Sequence, residues 1–203
     1  MSQPASNLRV RRTKILLREA LITLIEAQGF DAITVGQLTE QAMVSRAAFY
    51  RHYHDKYDLV EQIFEEAMSM LFEAIRERVV GQEHPADVWV RFWEHIAQYD
   101  RLYRALLGDK GSPWFVRKMR ARLAELIKER HGPMQAAHAA HLPTPAHPAH
   151  RFSDTFVPDL IAAMFVEAIT WWLAQGQPYP PKELATKTAL LASAVFRQAS
   201  TWS

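Results

Sequence analysis

The stretch TVGQLTEQAMVSRAAFYRHYHDK, from Thr34 to Lys56, limits the possible folds more than any other part of the chain. The Thr34 side chain can accept a hydrogen bond from a backbone N–H of the first helical turn, and Gln37 can reach back, which is the capping-box pattern. Ser45 can cap a second helix over Arg46–Tyr50. A helix this short is unstable alone, so another helix must hold it. The stretch therefore predicts two short helices joined by a tight turn.

The second short helix has the composition of a helix that reads DNA. It presents an arginine, small residues and a tyrosine, with its polar and basic residues at the N-terminal end. Five basic residues and no acid lie between Arg9 and Arg18. Residues 1–60 hold eight basic and six acidic residues, so their net charge of +2 equals the formal charge of the whole chain. Such a local basic patch suits contact with phosphates.

The rest of the chain predicts further helices. Apolar residues recur at helical spacing after Asp55, which can cap a fourth helix running to about Val80. Five more helices are predicted over residues 87–99, 102–107, 114–130, 156–175 and 182–201. Since no segment alternates apolar and polar residues as a half-buried strand does, we predict an all-α fold of about nine helices.

Composition narrows the class of protein. Apolar residues make up 49% of the 203 residues, which is enough for a sizeable core. The chain has no cysteine, so disulfides and thiolate metal sites are excluded. The N-terminus lacks the hydrophobic stretch of a signal peptide, and no run approaches the roughly 18 uninterrupted apolar residues of a membrane helix. We therefore expect a cytoplasmic protein.

Residues Arg11 to Phe64 resemble the DNA-binding region of the TetR family of transcriptional regulators. The matching pieces are KIL, QGFDAITV, VSRAAFYRHY and DKYDLV, in the family's order and spacing. Two residues depart from the family's pattern. Met43 stands in the turn where the family usually has glycine, and φ > 0 there costs a side-chain-bearing residue roughly 1 kcal/mol. Gly36 stands where the family often has a polar or charged residue that contacts DNA.

The resemblance implies a division of the chain and a set of DNA contacts. Residues 1–56 would form the helix–turn–helix DNA-binding domain, and residues 57–203 a helical domain for effector binding and dimerisation. Bases in the major groove would be faced by Ser45, Arg46 and Ala47. Arginine is the residue that most often reads guanine, through its O6 and N7 atoms. Phosphate-holding positions of the family correspond to Thr34, Tyr50, His52 and Lys56, whereas Phe49 is interpreted as a packing residue.

The C-terminal half resembles a subgroup of the same family. The segments YRALLGDKGSPWFVRKMR and AITWWLAQGQPYPPKELA carry this likeness. In the family the last two helices pack against those of a second subunit, so the resemblance implies a homodimer, and its two-fold symmetry fits a palindromic operator. Trp171 and Trp172 lie in the first of the two corresponding helices. The other interpretation of this tryptophan pair is that it fills the core of the monomer.

A group of aromatic and apolar residues in the fifth to seventh helices is a candidate effector site. Ligand pockets are mostly apolar with a few polar groups. The predicted ligand-binding residues are Trp89, Phe92, Trp93, His95, Tyr99, Tyr103, Phe115 and Met119. The other interpretation is that His95 is a buried histidine with its hydrogen bonds made, and that the rings are ordinary core.

Catalysis and metal binding are not predicted. The chain contains no nucleophile-elbow or HExxH pattern, so no catalytic residue is assigned. Five histidines crowd residues 131–151, but they lie among prolines and without a nearby carboxylate, so we interpret this segment as a loop and predict neither a metal site nor a cofactor.

The function predicted from the sequence is a DNA-binding transcriptional regulator, a repressor released from its operator by a small apolar or aromatic effector. Its partners would be palindromic double-stranded DNA, the effector and a second copy of the chain. The alternative is a TetR-like co-regulator that acts through a protein partner and not through DNA.

Overall fold

The computed structural model describes residues 3–76, 85–139, 152–199 and 201 of the chain. Within these ranges every regular element is an α-helix, which confirms the all-α prediction. The nine helices are α1 (Gln3–Gln28), α2 (Val35–Gln41), α3 (Arg46–Tyr50), α4 (Lys56–Arg76), α5 (Pro85–Gln98), α6 (Asp100–Leu107), α7 (Pro113–Ala139), α8 (Phe152–Ala174) and α9 (Pro181–Ala199).

The chain divides into two compact units. The first unit comprises Met1–His84 and Gln98–Phe115, and therefore holds α1 to α4 together with α6. The second unit comprises Pro85–Ala97 and Val116–Ser203, and holds α8, α9 and most of α5 and α7. The predicted functional boundary at residue 56 falls inside the first unit; as a division of function it stays a prediction.

The core of the first unit forms around one face of α1. Leu17, Leu21 and Ile25 recur every four residues on this helix and are completely buried. α1 packs against α2 and α6, and α2 packs against α3. Phe49 brings the five-residue α3 into this core, because its ring is fully buried and lies 5.4 Å from that of Tyr53. Burial of this ring supplies the hold that the short helix needs.

Ion pairs and backbone bonds attach the C-terminal end of α1 to the α6 region. Arg101 donates from Nε and Nη2 to the two carboxylate oxygens of Glu26, at 3.0 and 2.9 Å, and from Nη1 to Glu19 at 3.1 Å. The bonds from Arg101 hold the pKa of Glu26 below its usual value. Lys110 adds an ammonium bond of 2.9 Å to the Glu26 carbonyl, and its own carbonyl accepts from the Phe30 N–H at 2.9 Å.

Aromatic rings dominate the core of the second unit. The Trp93 ring is fully buried and stands edge-on to that of Trp172, with centroids 5.4 Å apart. Both indoles have their N–H groups bonded: Trp93 Nε1 donates to the Thr188 hydroxyl at 3.2 Å, and Trp172 Nε1 donates to the Tyr179 carbonyl at 2.9 Å. This pairing explains how two tryptophans can lie inside α-helical packing without a polar penalty.

One part of α8 is as apolar as a membrane helix, although we expected no such segment from the sequence. Thr155–Ala174 spans 20 residues with a mean hydropathy of 1.5, long and apolar enough to cross a membrane by length and composition. Half of the qualifying window is buried within the fold. The segment also carries Asp159 and Glu167, so its apolar residues are not uninterrupted.

Two predicted boundaries differ from the structure or lie outside it. α7 continues to Ala139, beyond the predicted end at Arg130, so His131 and His138 of the predicted loop are in a helix. Gly132 and Pro133 indicated a stop, but the alanine-rich sequence after them has a high helix propensity. The rest of the histidine-rich segment, residues 140–151, and the predicted end of α4 near residue 80 lie outside the described residues.

The turn between α2 and α3 has the strained conformation that the sequence predicts. Met43 has φ of +52°, in the left-handed region, and is 92% exposed. Its backbone N–H donates to the Glu40 carbonyl at 3.0 Å, and the next N–H, of Val44, donates to the Thr39 carbonyl at 2.9 Å. The turn is closed by backbone bonds, while the Met43 side chain contributes almost no burial.

We predict that Met43→Gly stabilises the protein by about 1 kcal/mol, because glycine adopts φ > 0 without a steric penalty. Met43→Ala is the matched control, since it removes the same exposed side chain and keeps the Cβ that causes the strain. Urea unfolding followed by circular dichroism measures both variants. Equal stability of the glycine and alanine variants would contradict the strain at this position.

Candidate nucleic-acid interface

Both short helices begin with the caps that the sequence predicts. Thr34 Oγ1 accepts a hydrogen bond from the Gln37 N–H at 3.2 Å, and Gln37 Oε1 accepts from the Thr34 N–H at 2.9 Å. Ser45 Oγ accepts from the Ala48 N–H at 3.1 Å. These bonds satisfy backbone N–H groups that a helix start leaves open, so α2 and α3 have defined first turns.

The side chains of α3 divide into one buried and one exposed face. Phe49 is completely buried, whereas Ser45, Arg46, Ala47 and Tyr50 are exposed, with Tyr50 58% accessible. The same division is expected of a helix that packs on one side and reads a groove on the other. The placement of Phe49 agrees with its interpretation as a packing residue.

Gly36 has a direct structural relation to Arg46. A Cβ atom built on Gly36 would lie 2.7 Å from Nη2 of Arg46, closer than real Cβ contacts. The missing side chain therefore lets the guanidinium group lie over the first turn of α2. The departure from the family's polar residue at this position removes one candidate DNA contact, and it also decides where the predicted base-reading arginine can lie.

Lys56 is engaged by the protein's own backbone. Its Nζ donates to the carbonyls of Phe30, Asp31 and Ile33 at 2.9, 2.9 and 3.0 Å. It also lies 4.7 Å from the centre of the Phe30 ring. An ammonium group has three N–H donors, and all three have a partner here. A phosphate bond from Lys56, as the resemblance implies, would require one of these carbonyls to be released.

His52 is held mainly through its backbone. Its carbonyl accepts from Gln62 Nε2 at 3.0 Å, and its half-buried ring lies 6.3 Å from that of Tyr53. The ring also lines a cavity of about 430 Å³ beside α3, together with Arg9 and Arg51. His52 thus lies next to two cations on the surface that carries the predicted DNA residues.

Three arginines next to α3 were not selected individually from the sequence. Arg9 and Arg51 share the cavity with Ser45, and Arg12 joins Arg9 in a neighbouring cavity of about 620 Å³ lined also by Met43. Helical spacing in the sequence indicates that Arg9 and Arg12 lie on one face of α1, because they are three residues apart. Arg11, Lys14 and Arg18, at spacings of three and four, form a second stripe. Only the packing of α1 shows which stripe is next to α3.

The predicted ligand-binding residues do not all belong to one unit. Trp89, Phe92, Trp93, His95 and Met119 lie in the second unit, whereas Tyr99, Tyr103 and Phe115 lie in the first. The first-unit group includes two core side chains. Tyr103 and Phe115 are completely buried, and the Phe115 ring stands edge-on to that of Phe64 at 5.2 Å. The sequence grouped these residues because they are close along the chain, and as one ligand site they stay a prediction.

The second-unit members form a closely packed aromatic group. Phe92 and Trp93 are 3% and 0% exposed and have ring contacts with Phe165. Trp89 is only half buried and stacks on Phe165 with centroids 4.6 Å apart. His95 is buried, and desolvation lowers its pKa to about 4, so it is neutral at pH 7. Trp89 is therefore the ring of this group with a solvent-accessible edge.

No group of three or more histidine or acidic side chains in the described part of the chain could hold a metal ion.

Comparison with known proteins assigns the region that carries this interface. The family model described as bacterial regulatory proteins, tetR family, matches residues 17–63, which cover α2, α3 and parts of α1 and α4. The chain therefore contains a DNA-binding region of the TetR family type. Members of this family are transcription regulators and not enzymes. The match includes all seven predicted DNA-binding residues.

Known proteins resemble this chain in part of its sequence and in its fold. The chain is 32% identical over 59 residues to an uncharacterized HTH-type transcriptional regulator, YxbF, of Bacillus subtilis (strain 168). This likeness covers 29% of the chain and only 16% of that relative's length. A TetR transcriptional regulator from Streptococcus agalactiae 2603V has the same fold, with a TM-score of 0.63 and 22% identity over 93% of this chain and 97% of that one. The dihydroxyacetone kinase operon activator DhaS is also similar in fold, with a TM-score of 0.56 and 14% identity over 92% and 97% of the two chains.

We predict that Lys56→Met lowers the free energy of unfolding by about 1.5–3 kcal/mol, because it removes charged hydrogen bonds to three carbonyls. Lys128→Met is the control, since its partner Glu125 lies on the surface, where an ion pair contributes about 0–1 kcal/mol. Urea unfolding of the free protein measures stability, and DNA binding over a range of salt concentrations tests the other role. A lower salt dependence with unchanged stability would identify Lys56 as the phosphate contact that the resemblance implies.

Proposed function

We propose that this TetR family chain is a DNA-binding transcriptional repressor, released from its operator by a small apolar or aromatic effector. The observation that carries the proposal is the exposed face of α3, with Ser45, Arg46, Ala47 and Tyr50 directed away from a buried Phe49. TetR family members are soluble DNA-binding proteins, which supports a cytoplasmic location.

Base readout is proposed for the first turn of α3. Arg46 can donate two parallel hydrogen bonds to guanine O6 and N7, and Ala47 is small enough to contact a thymine methyl group. The Ser45 hydroxyl is engaged in capping α3, which keeps the first turn in shape. Gly36 supports the role of Arg46, because it leaves the space over the first turn of α2 in which the guanidinium group lies.

Phosphate contact is proposed for residues around α3. Tyr50 is exposed, and its hydroxyl group can donate to a phosphate. Arg9, Arg12 and Arg51 line the cavities beside α3 and add positive charge there. Thr34 and His52 lie on the same unit and complete the predicted set. Lys56 bonds to the backbone between α1 and α2. In this proposal it supports DNA binding by holding α2 in position and does not contact a phosphate itself. Neutralised phosphates release counterions, so these contacts set the salt dependence of binding.

The test compares two exposed arginines of the same region. Arg46→Ala is expected to cost about 1–3 kcal/mol of operator binding and to relax base preference at one position in each half-site. Arg51→Ala is the matched control, and is expected to weaken binding to all sequences alike and to reduce the salt dependence by about one ion. Fluorescence anisotropy with the chain's own upstream DNA and a scrambled duplex measures both. Absence of specific binding by the unmodified protein would favour a co-regulator that acts through a protein partner.

A homodimer through α8 and α9 is proposed from the exposed apolar residues of these helices. Phe156, Leu160 and Trp171 of α8 are 42–45% exposed, and Leu190 and Leu191 of α9 are 63% and 56% exposed. The two tryptophans of α8 differ, because Trp172 is core while its neighbour Trp171 is at the surface. Large apolar side chains on the surface of a helix pair fit a two-fold interface. Such a dimer has two copies of α2 and α3, each of which we call a reading head, and two linked reading heads fit a palindrome with half-sites about 34–36 Å apart or a multiple of this.

We predict that Leu190→Glu converts the dimer into a monomer, because it would place two carboxylates in an apolar interface. Leu8→Glu is the control: this leucine of α1 is 67% exposed and receives the same change in the other unit. Light scattering at micromolar concentration measures the mass. A monomeric unmodified protein would contradict the proposed dimer, and a dimeric Leu190→Glu variant would place the interface elsewhere.

The effector site is proposed at the half-buried Trp89 and the rings behind it. Trp89 stacks on Phe165, and Phe92 meets both rings edge-on, so an aromatic or apolar molecule that displaces the accessible indole would find ring surfaces to contact. The neutral His95 of the same helix can take part in hydrogen bonding without a charge. Effector binding would favour a state of the dimer whose reading heads no longer match adjacent grooves, which is a population shift.

The uncharged fluorescent probe N-phenyl-1-naphthylamine tests this site. We predict that it binds the protein, and that Trp89→Ala weakens binding roughly tenfold by removing one ring contact and its buried area. Trp114→Ala is the control, because Trp114 is a half-buried tryptophan of the first unit. Probe fluorescence gives the affinity, and circular dichroism confirms that the variants fold. Equal weakening by both variants, or by neither, would count against the site at Trp89.

A further inference from the structure

A third cavity lies within the first unit, on the face of α1 that does not meet α3. Its volume is about 550 Å³, within the range of pockets for small molecules. α1 and α4 form its long walls. The lining residues are Val10, Arg11, Lys14, Ile15, Arg18, Tyr53, Ile63, Glu66, Met70 and Tyr99.

Charge around this cavity is unbalanced. Three cations, Arg11, Lys14 and Arg18, lie on one stripe of α1, whereas Glu66 of α4 is the only acid in the lining. Glu66 forms an ion pair with Lys14. Arg18 lies 3.8 Å from Glu19, which is already bonded by Arg101. Within the described ranges of the chain, Arg11 has no acidic partner, so the cavity has an excess of positive charge.

The remaining lining residues of the cavity are apolar or aromatic. Val10 and Ile15 belong to α1, and Ile63 and Met70 belong to α4. The Tyr99 hydroxyl donates to the sulfur of Met70 at 3.5 Å and so keeps both side chains at the cavity. Burial raises the pKa of Tyr53 to about 12, so its phenol stays neutral and adds no negative charge. A row of cations next to an apolar wall is the complement of a molecule with an anionic head and an apolar body.

We propose that this cavity between α1 and α4 binds amphipathic monocarboxylates, with the carboxylate at Arg11 and Lys14 and the apolar chain along Ile63 and Met70. A carboxylate bound here competes with Glu66 for Lys14, since both are anions that the same ammonium group can pair with. The ligand thereby replaces a direct ion pair between α1 and α4 with contacts of its own. α1 also carries Arg9 and Arg12 beside α3, so the two faces of this helix serve two different anions.

Decanoate, used below the concentration at which it aggregates, is the probe. Isothermal titration calorimetry on the full-length protein is expected to show one decanoate per chain and weaker binding of decan-1-ol, which has the same chain length without the charge. Arg11→Gln is expected to lower the affinity for decanoate about tenfold, as for loss of one charged hydrogen bond. Arg12→Gln is the matched control: it removes the same charge from an exposed arginine of the same helix, on the face towards α3, and is expected to bind as the unmodified protein does.

A second variant tests the apolar wall. Met70→Gln replaces a half-exposed side chain, which a folded protein tolerates, and is expected to weaken decanoate binding several-fold. Trp89→Ala, in the second unit, is expected to leave it unchanged, which separates this site from the proposed effector site. The proposal is overturned if decanoate does not bind, if Arg11→Gln binds as tightly as the unmodified protein, or if Arg12→Gln or Trp89→Ala weakens binding as much as Arg11→Gln does.

Discussion

The ammonium group of Lys56 holds the connection on which the whole reading head depends. Its three bonds to the carbonyls of Phe30, Asp31 and Ile33 join the first turn of α4 to the segment between α1 and α2. Arg101 and Lys110 attach the end of α1 from the α6 side. Because α2 starts directly after this segment, and α3 packs on α2, the orientation of the exposed face of α3 follows from it. Charged side chains thus hold the connection that precedes α2, and the burial of Phe49 holds the five-residue α3 in the same core.

Two residues of the reading head, Met43 and Gly36, depart from the TetR pattern. Met43 takes a left-handed conformation at an exposed turn, where backbone bonds and the burial of Phe49 maintain it. Gly36 gives up a side chain, and Arg46 occupies the space above it. Both departures from the TetR pattern therefore concern the same small element. The residue at position 43 costs stability in the turn, while Gly36 leaves the space that the side chain proposed to read bases occupies.

α1 relates the DNA surface to the rest of the first unit. Its basic residues fall into two stripes: Arg9 and Arg12 lie beside α3, and Arg11, Lys14 and Arg18 line the cavity with α4. The basic run of α1, which is one patch in the sequence, is therefore divided between two faces of the helix with different neighbours. The first surface lies beside the exposed face of α3, where phosphates are proposed to bind. The second lies beside Ile63 and Met70, which suit the apolar chain of an amphipathic carboxylate.

The sequence alone determined the all-α class, the TetR-like reading head, the caps at Thr34 and Ser45 and the positive φ at Met43, because these depend on residues near one another in the chain. Tertiary structure alone decided that Lys56 bonds to backbone carbonyls, that Trp172 is core while Trp171 is at the surface, and that the eight predicted ligand residues divide between two units. Each of these depends on contacts between residues far apart in sequence. Helical periodicity gives the face on which a residue lies, but the partner of that face is set by packing, and only packing decides whether a lysine meets a phosphate or a carbonyl.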